Sequence, residues 1–137
     1  MGYRVFVSHG WADRWIAGRI ARLIEEEAGA ETFMDAFDLA IGDDIEQRIF
    51  ETMPTCRELF VLLTPWSVDR NWVWVEIGAA RMLGHRIVVV LYGTTLEQIE
   101  REKGGKTFLG AKNVADINDM ENYLSQLQDR VREASHA

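Results

Sequence analysis

Cysteine and proline are scarce in this chain, with one Cys and two Pro in 137 residues. A single thiol, Cys56, excludes an internal disulfide; it fits a reducing, cytoplasmic setting and is expected to be a small buried apolar residue. The low proline content, together with 47% apolar and 27% charged residues, excludes a disordered or linker-like composition. Cationic excess is also missing: 15 Lys and Arg stand against 22 Asp and Glu, for a net charge of -7. Without a basic cluster, that charge repels phosphate backbones, so nucleic acid is not expected as a direct partner. Long apolar runs are lacking too. The strongest, residues 60–63 and 87–92, are strand-sized, far short of the roughly 20 residues that span a bilayer. The amino-terminal residues enter a strand-like pattern without the regions of an export signal, and Phe6 stands where a myristoylation signal has Ser or Thr. No membrane partner, export or lipid anchor is expected.

What is present is an alternation of strand and helix patterns. Residues 3–9, 32–35, 58–64, 86–92 and 112–117 read as strands, the third and fourth as fully buried runs. Residues 13–28, 43–52, 71–83, 96–103 and 120–134 read as helices. With no internal repeat or linker, and Gly104-Gly105 reading as a loop, one domain is expected over residues 1–137. The alternation predicts an α/β, flavodoxin-like three-layer fold: a five-stranded parallel sheet in the order 2-1-3-4-5 with helices on both faces. In such sheets ligands bind beyond the carboxyl ends of the strands, where the winding reverses between strands 1 and 3. Two loops meet there, Ser8-His9-Gly10-Trp11 and the segment 64–71 with Trp66 and Ser67. The loop after strand 2, DAFDLAIGDDI, is a third candidate wall.

Residues 67–78, SVDRNWVWVEIG, hold the most informative anomaly. At about 3.6 residues per turn, Trp72, Glu76, Ala79, Ala80 and Leu83 are expected to share a face, so Glu76 interrupts a stripe that would pack inward. A carboxylate there must be paired, neutralised or used. Pairing with Arg70 or Arg81 and use in chemistry stand as equal alternatives on the residues alone. In the first loop, Ser8, His9 and Gly10 offer donors and little bulk, suiting a ribose or pyrophosphate, against the plainer reading of a turn with Ser8 capping and His9 hydrogen-bonded. Asp13 reads as a helix cap. Asp35, Asp38, Asp43 and Asp44 do not have the spacing of a calcium loop; Asp43 and Asp44 suit a helix start, and Gly42 the preceding turn. No metal is expected, since His9, His85 and His136 also lack ligand spacing.

VFVSH in strand 1, FMDAFDLAIGDDI after strand 2 and VLLTPWSVDRNWVWVEIG from strand 3 into the third helix together resemble a TIR (Toll/interleukin-1 receptor) domain, over residues 3 to about 131. In the enzymatic branch of that family, a glutamate four residues after a tryptophan at the start of the third helix is catalytic, which implies that role for Glu76 after Trp72. Val73 stands where many relatives have cysteine, a residue not needed for the glycosidic step. The resemblance implies an NAD+ nucleosidase, a hydrolase or ADP-ribosyl cyclase, with NAD+ as substrate and no separate cofactor, in prokaryotic immune or antiviral signalling. It also implies self-association or binding to another TIR-containing or effector protein, with Trp74 or Met82 as contact residues. Ser8, His9, Gly10, Trp11, Ala40, Ile41, Trp66, Ser67 and Trp72 are then the expected substrate-binding residues, with Leu39 also able to touch substrate or a partner. The alternative is a non-catalytic module for TIR–TIR interaction. A phosphoacceptor receiver would need acids after strand 1 and an aspartate ending strand 3; Ser8-His9 and Leu63-Thr64 stand there instead. A flavin carrier would need a hydroxyl-rich phosphate loop, which Gly10-Trp11-Ala12 does not supply.

Overall fold

The computed structural model describes residues 2–34, 44–104 and 114–136. Strands and helices alternate as expected: β1 (Arg4–Ser8), α1 (Arg14–Leu23), β2 (Glu31–Phe33), α2 (Ile45–Thr52), β3 (Glu58–Leu63), α3 (Asn71–Met82), β4 (Arg86–Leu91), α4 (Leu96–Glu102), β5 (Val114–Asp116) and α5 (Met120–Ser135). A wider turn over Ile24–Ala28 prolongs α1, and Gly29 ends it at a left-handed φ of 77°. All strand pairings are parallel, and the sheet runs β2-β1-β3-β4-β5, as the alternation predicts.

Side-chain alternation along the strands divides the core in two. Phe6, Leu59, Val61, Leu63, Val89 and Leu91 face α2, α3 and α4. Val5, Val7, Phe60, Leu62 and Val90 face α1 and α5 on the other side. Every residue of β3 is buried, because it lies in the middle of the sheet between two helical layers. Cys56 is buried within the first of these clusters.

At the amino end of the central strand sits a charge that the sequence pattern did not single out. Glu58 is fully buried, and both of its oxygens are occupied. Oε1 accepts from the Tyr3 hydroxyl at 2.5 Å and from Arg130 Nε at 2.9 Å, while Oε2 accepts from the Tyr123 hydroxyl at 2.8 Å and from Arg130 Nη2 at 3.1 Å. A forked guanidinium and two phenols thus replace the water that a buried carboxylate loses. This group joins the residue before β1 to β3 and α5 at the end of the sheet opposite the predicted crevice.

Candidate active site

The strand pleat explains how the site forms. Phe6 faces the α3 side, so Ser8, two residues on, faces it too, at the carboxyl end of β1 and paired with Val61 of β3. Across the gap, α3 presents Val73, Glu76, Ile77 and Ala80 inward. Ser8 Oγ donates to Glu76 Oε1 at 2.7 Å, with Ser8 0% and Glu76 1% exposed. A buried hydrogen bond of this kind fixes the direction in which the carboxyl group points.

The inward stripe of α3 differs from the expected one. Val73, Ile77 and Ala80, at spacings of four and three, form its centre, and Glu76 lies on its flank. Trp72 and Leu83 are turned outward instead, 43% and 47% exposed. The helix is apolar nearly all round, so composition did not determine which side faces the sheet. Trp74 Nε1 donates to the Val68 carbonyl at 2.8 Å, pinning the first turn of α3 to the loop that leads into it. Trp74 therefore has a role within the chain, whereas Met82 is 88% exposed.

Asp13 also departs from expectation. It occupies the position before α1, yet its side chain makes no capping bond. Its Oδ2 accepts from the Thr64 hydroxyl at 2.5 Å, and the acid is 3% exposed. Ser67 Oγ accepts from the Thr64 backbone N–H at 2.8 Å, closing the turn after β3. Gly10 lies directly against this turn: a Cβ there would come within 2.9 Å of Ser67 Cβ, so the close approach of the two loops requires glycine.

Of the residues assigned to the crevice from sequence, Ser8, His9, Gly10, Trp11, Trp66, Ser67, Trp72 and Glu76 all lie on β1, β3, α3 or the loops at their carboxyl ends. Ser8 and Glu76 are in contact, as are Gly10 and Ser67 in packing terms. His9 is 6% exposed, with Nδ1 3.2 Å from the Val7 carbonyl, as a hydrogen-bonded loop histidine should be. Trp11 and Trp66 are 55% and 63% exposed, and Arg14 stacks 4.1 Å over the Trp11 ring. Leu39, Ala40, Ile41 and Gly42, with Asp35, Asp38 and Asp43, lie outside the described residues. Asp44 accepts from the Gln47 N–H at 3.0 Å and caps α2.

The match to known proteins fits this geometry. The family model of the TIR domain matches residues 5–134. The chain belongs to the TIR domain family. Over 93 residues, 66% of this chain, it is 27% identical to a protein of Bacteroides thetaiotaomicron named 2' cyclic ADP-D-ribose synthase BtTIR, and that alignment spans 32% of the relative's length. Two solved TIR structures share the fold at 18% identity. The TIR domain of the Toll-related receptor TRR-2 from Hydra magnipapillata superposes with a TM-score of 0.65, covering 94% of this chain and 95% of that one. The TIR domains of the activated Roq1 resistosome, which recognises the effector XopQ, superpose with a TM-score of 0.63, covering 97% of this chain and 99% of that one.

On this TIR fold, an apolar groove of about 450 Å³ lies away from Glu76, between α2 and α3, lined by Phe50, Met53, Val75, Ala79, Met82 and Leu83. Among the described residues, no group of three or more His, Cys, Asp or Glu is arranged to hold a metal ion, and no helix is long and apolar enough to cross a membrane.

Proposed function

We propose that this TIR domain cleaves NAD+ at the bond between nicotinamide and ribose, with Glu76 as the catalytic carboxylate. The observation that carries this reading is a carboxylate 1% exposed, oriented by Ser8 beside the β1/β3 switch of a doubly wound sheet. The name of the Bacteroides relative, a 2' cyclic ADP-D-ribose synthase, supports the same chemistry.

The reaction suits a single acid. Ordinary glycosidases need a second carboxyl group to protonate a poor leaving group. The nicotinamide of NAD+ is a pyridinium: when its bond to C1' of ribose breaks, both electrons go to the ring nitrogen, and neutral nicotinamide leaves without a proton. Glu76 then holds the ribose hydroxyls and stabilises the oxocarbenium-like charge at C1'. Water adding at C1' and losing a proton gives ADP-ribose; a hydroxyl of the same molecule doing so gives a cyclic ADP-ribose. In this reading Ser8, His9 and Gly10 line the ribose and pyrophosphate, Trp11, Trp66, Ser67 and Trp72 flank them, and Ala40 and Ile41 are further substrate-binding residues.

A carboxylate at 1% exposure offers substrate almost no surface. Access therefore requires a change in its cover, which self-association supplies; such control keeps an NAD+ consumer silent until a cytoplasmic signalling or defence response calls for it. Chromatography of NAD+ incubated with concentrated protein tests the reading, and release of nicotinamide with a matching ADP-ribose product is the expected outcome.

One observation favours a second reading, a non-catalytic module that binds another copy of itself: the exposed apolar groove with Met82 at its rim. Met82→Asp should weaken self-association in sedimentation velocity. Self-association without nicotinamide release at any concentration would make this reading the better one.

A further inference from the structure

Of the buried acids the chemistry above does not use, Glu58 lies at the far end of the sheet and Asp13 lies in the crevice itself. Asp13 sits 3% exposed in the loop after β1, and burying a carboxylate is costly unless its bonds replace the lost water. Its bond to Thr64 spans 51 positions and ties that loop to the end of β3. Thr64 Oγ1 in turn accepts from the Trp66 N–H at 3.2 Å, and the Asp13 N–H donates to the Gly10 carbonyl at 3.0 Å. Both loops of the crevice are thereby tied together five residues from Ser8. From Ser67 the chain continues through Arg70, whose N–H donates to the Ser67 carbonyl at 2.9 Å, into the first turn of α3.

We infer that Asp13 is a positioning residue for Glu76: by holding Thr64 it sets the distance between the end of β1, which carries Ser8, and α3, which carries the carboxylate. The inference rests on the proposed NAD+ cleavage. Asp13 acts through Thr64, so its loss shifts the Ser8–Glu76 pair without removing either group, and small displacements at a reacting centre are disproportionately damaging.

The test compares wild type, Asp13→Ala, Asp13→Asn, Thr64→Val, Thr64→Ser and the Asp13→Ala/Thr64→Val double variant, with urea denaturation to establish folding and kcat and KM for nicotinamide release. In folded Asp13→Ala and Thr64→Val, kcat should fall on the order of 10- to 100-fold with a much smaller change in KM. Asp13→Asn, which keeps an acceptor oxygen, and Thr64→Ser, which keeps the hydroxyl, should recover most of it. The double variant should lose no more than the worse single one, because both remove the same bond. Wild-type kcat in any folded variant lacking the bond, no recovery by the conservative variants, or additive losses would overturn the inference alone. A wild type that releases no nicotinamide would overturn the proposed function, and the inference with it.

Discussion

The Ser8 hydroxyl and the Glu76 carboxylate are 68 positions apart in the chain and 2.7 Å apart in the fold. The bond exists because the pleat of β1 and the inward face of α3 meet on the same side of the sheet. Ser8 is thus the neutral donor that holds the proposed catalytic group in place.

Ser8→Ala removes that donor and leaves the buried Glu76 with less to offset its desolvation. Destabilisation of about 1–3 kcal/mol is expected in urea denaturation. Nicotinamide release by the folded fraction should also fall, whereas Ser8→Thr should preserve the donor and most of the activity.

Arg130→Met tests the opposite end of the sheet. Arg130 is the cation of the Glu58 group, with the side chains 18% and 0% exposed. Breaking a buried ion pair from one side typically costs about 3–5 kcal/mol, so the urea midpoint should drop sharply. Because this group lies at the other end of the strands, kcat at saturating NAD+ should stay near wild type in whatever remains folded.

Alkaline pH probes the same cluster. Burial, and then the hydrogen bond and charge of Glu58, push the Tyr3 phenol from 10.0 up to about 12, and burial with the Glu58 charge pushes Tyr123 up as well. The unfolded phenol ionises near 10 while the folded one keeps its proton, so the unfolded state loses protons first. This contribution to stability is complete below about pH 10 and disappears as pH rises through about 12. Tyr3→Phe should flatten that decline in urea midpoints measured from neutral pH into this range; an unchanged slope would show that Tyr3 does not titrate this way.

Much of the architecture was legible because its signals are local. Two uninterrupted apolar runs, ELFVLL and RIVVVL, can be buried on both faces only in the middle of a parallel sheet, and they became β3 and β4. Glu76 stood out because its apolar neighbours made a charge anomalous. What was not legible depends on partners far away in the chain. Glu58 looked like the edge of a strand, since Tyr3, Tyr123 and Arg130 lie 55, 65 and 72 positions from it. Asp13 looked like a cap, because the position before a helix suits an acid whether or not its side chain turns inward to Thr64. Trp72 was expected on the buried side because a helix apolar all round carries no phase; the fit of Val73, Ile77 and Ala80 against the sheet decided it.

The most direct measurement is nicotinamide release from NAD+ by concentrated wild-type protein beside Glu76→Gln, which keeps the volume and an acceptor oxygen but removes the charge. Release by wild type, abolished in a Glu76→Gln variant that unfolds at wild-type urea concentration or above, is the expected result. Equal release by the two proteins would contradict the role of the carboxylate, and no release by wild type, concentrated and self-associated, would contradict the enzyme.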